Sequence, residues 1–449
     1  MNRVIRSKCI DISSEGKGVV KCFKDVIFVD GLFPGEEADI EYVYKRAGVW
    51  YGKIKKLNTT SKDRIQPRCK ICTACGGCQY QQLAYSAQLL IKAKRVKEAL
   101  ERIGHLKCEV NPCIGMDEPY NYRNKIQVPF GKDDHGRTVY GFYKQNTHKI
   151  IPVKECQIED KRASSILWDI KELIDELNIP VYNEDSGRGI LRHVLIRTSY
   201  HYKEVMVVLV VTTLNFPRQR NLVDALTKKH PEITSIVENV NSRDTNVILG
   251  EKEKVLFGKK FIKDDILDLT FEISASSFFQ INPVQVEKLY KTAISSINDG
   301  ENKILLDAYS GVGTIGLLAS KSVKSVISVE LNKDAHYNGI DNAKRNNINN
   351  VRFVNDDASD FINSYDGKID IVIMDPPRKG SDEKFLSSVI NKKIKEIIYI
   401  SCNPETLARD LAFLSNDYEI KSVTPVDMFP FTSHCETVVS LILRNSGLN

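Results

Sequence analysis

Ile304-Leu305-Leu306-Asp307-Ala308-Tyr309-Ser310-Gly311-Val312-Gly313-Thr314 is the stretch on which the fold turns. An apolar run of strand character leads into a turn with two glycines, and Ile315 to Ser320 continues as a helix. A glycine-containing turn between strand and helix lets a ligand approach the backbone, and the helix N-terminus behind it favours negative charge. The turn lacks a full dinucleotide fingerprint, so its meaning depends on the strands C-terminal to it. Ser325 to Val329 is a second strand and ends in Glu330. Val351 to Val354 is a third, followed by Asn355-Asp356-Asp357, and Ile369 to Met374 is a fourth, ending at Asp375-Pro376-Pro377-Arg378. Strands alternating with helices from about Glu301 onward predict βα units and a mainly parallel sheet, an α/β fold class.

Each carboxylate alone reads as a turn residue or helix cap. Asp307, Glu330, Asp356 or Asp357, and Asp375 at successive strand ends instead converge on the crevice at the carboxyl edge of an open α/β sheet. Such an edge suits a cofactor with hydroxyls, an amine and a sulfonium cation better than a triphosphate. Glu330 is placed to accept from ribose hydroxyls, and Asp356 or Asp357 from the adenine amine. No Gly-Lys-Thr or Gly-Lys-Ser phosphate loop occurs, which argues against an ATPase.

A fifth strand, Glu396 to Ile400, delivers Ser401-Cys402-Asn403-Pro404 to the same edge. A lone cysteine is usually a small buried hydrophobe. This one precedes a helix whose N-terminal dipole favours a thiolate. The last strand, Thr437 to Leu443, is preceded by His434-Cys435-Glu436. A thiol and a carboxylate beside a sulfonium donor suit methylation of a pyrimidine carbon. A thiolate adding to C6 of uracil makes C5 enolate-like, and a base then removes the C5 proton. Cys402 and Glu436 fit these two roles. Methylation of an exocyclic amine needs no thiol, and its Pro-Pro pair is typically followed by an aromatic residue rather than by Arg378.

Ser277-Phe278-Phe279-Gln280-Ile281-Asn282, Asp307 to Thr314, Asp375 to Arg378, Ser401 to Leu407 and His434-Cys435-Glu436-Thr437 together resemble the RNA uracil-5-methyltransferase family, in its branch acting on 23S ribosomal RNA. The similarity extends over essentially the whole chain. It implies a Rossmann-like class I methyltransferase domain that uses S-adenosylmethionine, with Cys402 as nucleophile and Glu436 as proton-abstracting base. It also implies cofactor contacts from Gln280, Tyr309, Glu330 and Asp375, beside the turn of Asp307, Gly311, Gly313 and Thr314 and the adenine contact at Asp356. The N-terminal Gly16-Lys17-Gly18 and Gly31-Leu32-Phe33-Pro34-Gly35-Glu36 resemble the small, OB-like RNA-binding barrel called TRAM. Residues 1–58 also read as short strands between Gly and Pro turns, Val19 to Cys22, Val26 to Val29, Ala38 to Tyr44 and Gly48 to Lys56 among them. Three domains are expected: the barrel over 1–58, a mixed α+β central domain over 59–270, and the methyltransferase domain over 271–449.

Cys69, Cys72, Cys75 and Cys78 have a local density that packing does not explain, and four thiolates suit zinc or an iron–sulfur cluster. The family resemblance implies a [4Fe–4S] cluster on Cys69, Cys75, Cys78 and the distant Cys156, which leaves Cys72 surplus. Cys9, Cys22, Cys108, Cys113 and Cys435 are assigned to packing.

The 449-residue chain carries a net charge of +6, but Lys45 to Lys107 alone holds fifteen basic residues against three acidic ones. With Tyr42, Tyr44, Trp50, Tyr51, Tyr80 and Tyr85 interleaved, this stretch reads as a nucleic-acid surface. A helix from Leu83 to Ile103 is predicted within it. Leu89, Leu90, Val96, Leu100 and Ile103 form its apolar stripe, and Lys92, Lys94, Arg95 and Lys97 its basic remainder. Apolar runs such as Val205 to Val211 are too short to span a bilayer, and the charged N-terminus lacks a signal peptide. A cytoplasmic, monomeric enzyme acting on ribosomal RNA is expected. Transfer RNA or another target atom are the alternatives, and an iron–sulfur RNA-binding protein with a degenerate enzyme domain is the non-enzyme alternative.

Overall fold

The computed structural model describes residues 3–144, 147–243 and 247–444. The chain divides into two compact units, residues 1–119 with 376–449 and residues 120–375.

In the first unit the strands Val4–Ile12, Gly18–Cys22, Asp25–Val29, Glu37–Arg46 and Val49–Thr59 close into a barrel. All its pairings are antiparallel except that of Asp25–Val29 with Val49–Thr59. Val20, Ile27, Val29, Ala38 and Ile40 fill the interior. The alternation predicts four of the strands. Val4–Ile12 is not legible because Cys9 is its one fully buried residue. The long helix runs from Tyr85 to Arg102, and its inward face differs from the expected stripe. Leu90 is 73% exposed and Ile103 also faces solvent, whereas Gln88 and Lys92 are buried. The same unit holds the helix Pro404–Leu414, which packs against Tyr85–Arg102. It also holds three strands in the order Glu396–Ser401, Glu436–Leu443, Tyr418–Val426, with Glu436–Leu443 antiparallel to both neighbours. Only Glu436–Leu443 is thus reversed, one antiparallel strand beside the mainly parallel pattern that was expected.

The second unit begins with a seven-stranded sheet in the order Lys252–Gly258, Ile233–Val240, Val205–Val211, Leu191–Thr198, Lys125–Lys132, Thr138–Tyr143, Ile150–Pro152. Val205–Val211 and Leu191–Thr198 are buried at every residue, as strands covered on both faces must be. The helices Lys161–Glu176 and Gln219–Lys229 add to one core with Ile126, Val194, Val207 and Leu209. After the hairpin Phe261–Ile266 and Leu269–Ser274 come the helix Pro283–Ile294 and four parallel strands. Their order is Val351–Val354, Ser325–Val329, Ile304–Ala308, Ile371–Met374. The helices Thr314–Ala319, Lys333–Arg345 and Ala358–Ser364 connect them. The fold is therefore α/β, with a Rossmann-like arrangement of strands and helices and an N-terminal five-stranded barrel. Among the described residues no helix is long and apolar enough to cross a membrane.

Candidate active site

In the second unit the strand Ile304–Ala308 ends at Tyr309, whose backbone is left-handed at φ +61°. For a bulky residue that conformation is strained and marks a constrained turn. Gly313 lies beyond it at φ +77°, where a Cβ would also lie 2.8 Å from the Phe353 ring. A Cβ on Gly311 would meet no atom within 4 Å, so that side of the turn is open. The Gly311 N–H donates to Glu330 Oε2 at 2.8 Å, tying the first strand end to the second, while Glu330 Oε1 accepts from the Asn332 N–H at 2.7 Å. Asn355 donates to the carbonyls of Glu330 and Leu331 and brings in the third strand end.

Asp307 is buried beneath the turn. Its Oδ2 accepts from the Gly316 N–H at 2.9 Å and from Ser328 Oγ at 3.3 Å. Burial, with Asp375 and Glu330 adding negative charge, pushes its carboxyl up to about 7. Burial also pushes Asp375 up to about 7, although the residue keeps part of its surface accessible. Ser310 Oγ is buried in this turn without a hydrogen-bond partner. Two carboxyls raised chiefly by burial, an orphaned hydroxyl and an open glycine face fit a ligand that carries both positive charge and hydroxyl groups. Thr314 begins the short helix behind the turn.

A helix cap separates Asp356 from Asp357. Asp357 Oδ1 accepts from the Ser359 and Asp360 N–H groups at the start of the helix Ala358–Ser364, as Asp typically does at this position. Asp356 accepts from the adjacent Asp357 N–H at 2.8 Å. Gln280 is half-buried in the irregular segment before the helix Pro283–Ile294. That segment is pinned in two places. Asn124 Nδ2 donates to the Gln280 carbonyl at 3.1 Å, and Arg197 Nη2 donates to the carbonyls of Ala275 and Ser277. Gly316, Asn124 and Arg197 had no sequence signal. Asn124 and Arg197 act across 78 to 156 residues of chain.

In the first unit the ladder between Glu396–Ser401 and Glu436–Leu443 has its last pair at Ser401 and Thr437. Cys402 directly follows that last pair on one side and Glu436 directly precedes it on the other, so both stand at the same end of the ladder. Cys402 is half-buried immediately before Asn403, which caps the helix Pro404–Leu414 by accepting from the Glu405 N–H at 3.1 Å. The unpaired N–H groups of that helix end favour a thiolate over a thiol. Asn403 Nδ2 and Thr406 Oγ1 both donate to the Arg378 carbonyl, which joins the Pro-Pro-Arg turn to the cysteine loop. Glu436 is buried.

Cys72–Cys75 forms one helical turn that ends at Gly76. Burial and the neighbouring thiols Cys75, Cys69 and Cys72 push Cys78 up to about 12, and burial, with Cys69 and Cys75, also raises Cys72. Thiols are the ligands that soft metals prefer. Cys156 belongs to the second unit, and among the described residues no group of three or more His, Cys, Asp or Glu side chains is arranged as a metal site. None of the eleven cysteines is in a disulfide. On the barrel, Tyr44 and Tyr51 stack with centroids 4.6 Å apart, Lys17 Nζ lies 5.9 Å from the Tyr51 ring centre, and Lys45 Nζ lies 5.6 Å from that of Trp50. Not all of the basic stretch is surface: Arg64 pairs with buried Glu36, and Lys92 is 1% exposed.

The family model described as tRNA (uracil-5-)-methyltransferase matches residues 84–444. An uncharacterized RNA methyltransferase of Halalkalibacterium halodurans is 40% identical over 449 residues, covering 99% of this chain and 98% of its own length. One from Staphylococcus aureus is 38% identical and covers 99% of each chain. Among solved structures, the Pyrococcus abyssi tRNA (uracil-54, C5)-methyltransferase, in complex with S-adenosyl-L-homocysteine, superposes with a TM-score of 0.79 at 30% identity, over 98% of this chain and 100% of that one. With the family model spanning most of the chain, and whole-length relatives named as RNA methyltransferases, the protein belongs to the tRNA (uracil-5-)-methyltransferase family and is an S-adenosylmethionine-dependent RNA (uracil-5-)-methyltransferase.

Proposed function

We propose that this enzyme forms 5-methyluridine in 23S ribosomal RNA, with Cys402 as nucleophile and Glu436 as base. What supports the chemistry is that Cys402 and Glu436 flank the last pair of one ladder, at the same end of it. Cys402 Sγ adds to C6 of uracil, and the electron pair moves to C5 and O4. S-adenosylmethionine, when bound, supplies an electrophilic methyl group, which C5 takes up. Glu436 then removes the C5 proton, the C5–C6 double bond re-forms, and the Cys402 thiolate leaves. Glu330 would hold the ribose hydroxyls, Asp356 the adenine amine, and Gln280, Tyr309 and Asp375 the methionine end. Asp307 would keep the turn of Gly311, Gly313 and Thr314 in shape from beneath.

The ribosomal reading rests on the barrel and the cysteine loop. We assign the barrel of residues 1–58 to RNA binding through its aromatic and basic side chains. Residues 59–270 form the central domain, and residues 271–449 carry the transfer chemistry in a monomeric, cytoplasmic enzyme. Transfer RNA is the second reading. The Pyrococcus abyssi transfer-RNA enzyme aligns over 98% of this chain, a span that takes in most of the barrel, so the barrel does not by itself separate the two substrates. Nucleoside mass spectrometry of ribosomal and transfer RNA from cells lacking the protein decides. Loss of 5-methyluridine from ribosomal RNA alone supports the proposal; loss from transfer RNA alone replaces its substrate; no loss from either overturns it.

We further assign a [4Fe–4S] cluster to Cys69, Cys75, Cys78 and Cys156, with Cys72 as a bystander. Protein purified without oxygen is expected to be brown and to contain iron and acid-labile sulfide, both lost in Cys78→Ala and retained in Cys72→Ala. Loss in Cys72→Ala but not in Cys69→Ala would exchange those two ligands, and colourless, iron-free wild-type protein would remove the cluster.

The carboxyls raised to about 7 give a pH prediction for cofactor binding. An unperturbed Asp titrates near ~3.9. Between roughly pH 4 and 7 the cofactor-free folded protein therefore holds protons that the unfolded chain has released, and the contribution of these groups to stability falls as pH rises through that window. A cationic ligand favours the ionised form, so its binding expels these protons and tightens with rising pH. The affinity for S-adenosylmethionine is expected to rise several-fold from pH 6 to pH 8 by calorimetry, with Asp375→Asn flattening the curve. An affinity independent of pH in the wild type would show that neither carboxyl is protonated before binding.

A further inference from the structure

We propose that Arg95 is the positioning residue that fixes the nucleophile and the base relative to each other. This inference rests on the roles assigned above to Cys402 and Glu436. By sequence Arg95 belongs to a basic helix face turned toward RNA, but its guanidinium faces inward. Nη1 donates to the Ser433 carbonyl at 2.8 Å, while Nη2 donates to Glu405 Oε1 at 3.0 Å and Oε2 at 3.1 Å. Glu405 lies three residues after Cys402, and Ser433 lies three residues before Glu436. One planar, always charged group therefore links the loop of the nucleophile to the loop of the base, and a guanidinium holds such a two-way contact more rigidly than an ammonium.

Arg95 is the last of four polar residues on one helical face, Tyr85, Gln88, Lys92 and Arg95, spaced by three, four and three. All four grip the nine-residue connection between the strands Tyr418–Val426 and Glu436–Leu443. Tyr85 Oη donates to Asp427 Oδ2 at 2.9 Å, and buried Lys92 donates to Asp427 Oδ1 at 2.5 Å and to the Phe429 carbonyl at 3.1 Å. Gln88 Oε1 accepts from the Phe431 N–H at 3.0 Å. From the other side, Gln79 Oε1 accepts from the Ser433 N–H at 3.2 Å, and the Tyr80 N–H donates to the Phe431 carbonyl at 2.9 Å. Residues 427, 429, 431 and 433 are thus held in alternation up to the base. A connection of this length with no such contacts would leave the base free to drift, and small misplacements of a reacting group cost large factors in rate.

The test uses the full-length enzyme and an unmodified RNA transcript that the wild type methylates. Arg95→Met is expected to keep the melting temperature and the affinities for S-adenosylmethionine and RNA. It should slow release of methylated RNA by about 10- to 100-fold while covalent protein–RNA adduct accumulates on denaturing gels. Arg95→Lys should recover only part of the rate. If Arg95→Met lowers the melting temperature, the half-exposed Glu405→Gln gives the same readout from the other end of the link. Release at the wild-type rate overturns the proposal. So does weakened RNA binding with an unchanged single-turnover rate, which would make Arg95 a phosphate contact. Glu436→Gln run alongside separates the failures. Adduct in Glu436→Gln but none in the Arg95 variant removes only the role of Arg95; no adduct in Glu436→Gln removes the base assignment and this inference with it.

Discussion

Cys402→Ala is expected to reduce methyl transfer to uracil by about 10⁴-fold or more, equivalent to about 5.5 kcal/mol of barrier, with the affinity for S-adenosylmethionine unchanged. The size of the loss stems from the substrate. Unassisted uracil C5 has little nucleophilic character, and the proposed mechanism creates it by adding a thiolate at C6. The residues assigned to the cofactor all lie in residues 120–375, whereas Cys402 belongs to the other compact unit, so removing its sulfur leaves the cofactor side chains intact. Alanine also keeps the Asn403 cap and the Arg378 contacts that shape the loop. Transfer of a radiolabelled methyl group and formation of a covalent adduct are the two readouts, and both should vanish. Activity within about tenfold of the wild type would mean that the thiol does not lie on the reaction path.

The second large effect is of another kind. Glu436→Gln is expected to permit thiol addition and methyl transfer but to slow elimination by roughly 10²- to 10⁴-fold. Glutamine preserves the shape of the buried side chain but cannot take up the C5 proton, so the methylated base stays bound to Cys402. A protein–RNA species that survives denaturation and carries the transferred methyl should accumulate in stoichiometric amounts. Adding Cys402→Ala to this variant should abolish it, because the adduct has no other point of attachment. Prompt release of methylated RNA by Glu436→Gln would assign the proton transfer to another group. The two variants divide the reaction at its covalent intermediate, and Arg95 is expected to resemble the second rather than the first.

Much of this is legible in the linear chain because it is local chemistry. The apolar run Ile304 to Leu306 entering a glycine turn, the carboxylates at Glu330 and Asp375, and Cys402 before a helix-starting Pro404 each express a strand end or a helix start within about ten residues. Their order along the chain specifies an α/β sheet with a polar carboxyl edge, and the structure has that fold. The barrel is legible for the same reason, since its turns at Asp30-Gly31 and Pro34-Gly35 lie between short alternating strands.

Tertiary structure decided whatever depends on which side of an element meets another. Asp356 and Asp357 are equivalent in sequence, and a helix cap separates them. Glu436–Leu443 runs antiparallel to both neighbours, and that pairing brings Glu436 and Cys402 to the same end of one ladder; strand direction comes from pairing partners far away in the chain. Lys92 and Arg95 carry the same charge as Lys94 and Lys97. The first two turn inward because Asp427, Glu405 and backbone carbonyls await them more than 300 residues later, and the latter two remain largely in solvent. The amino-acid sequence by itself determined the fold class and supplied the chemical groups on which the proposed reaction rests, since local propensity and side-chain chemistry travel with each residue. Burial, register and partner choice came only with the folded chain, because desolvating a charge is affordable only where a partner distant in sequence has already been brought alongside.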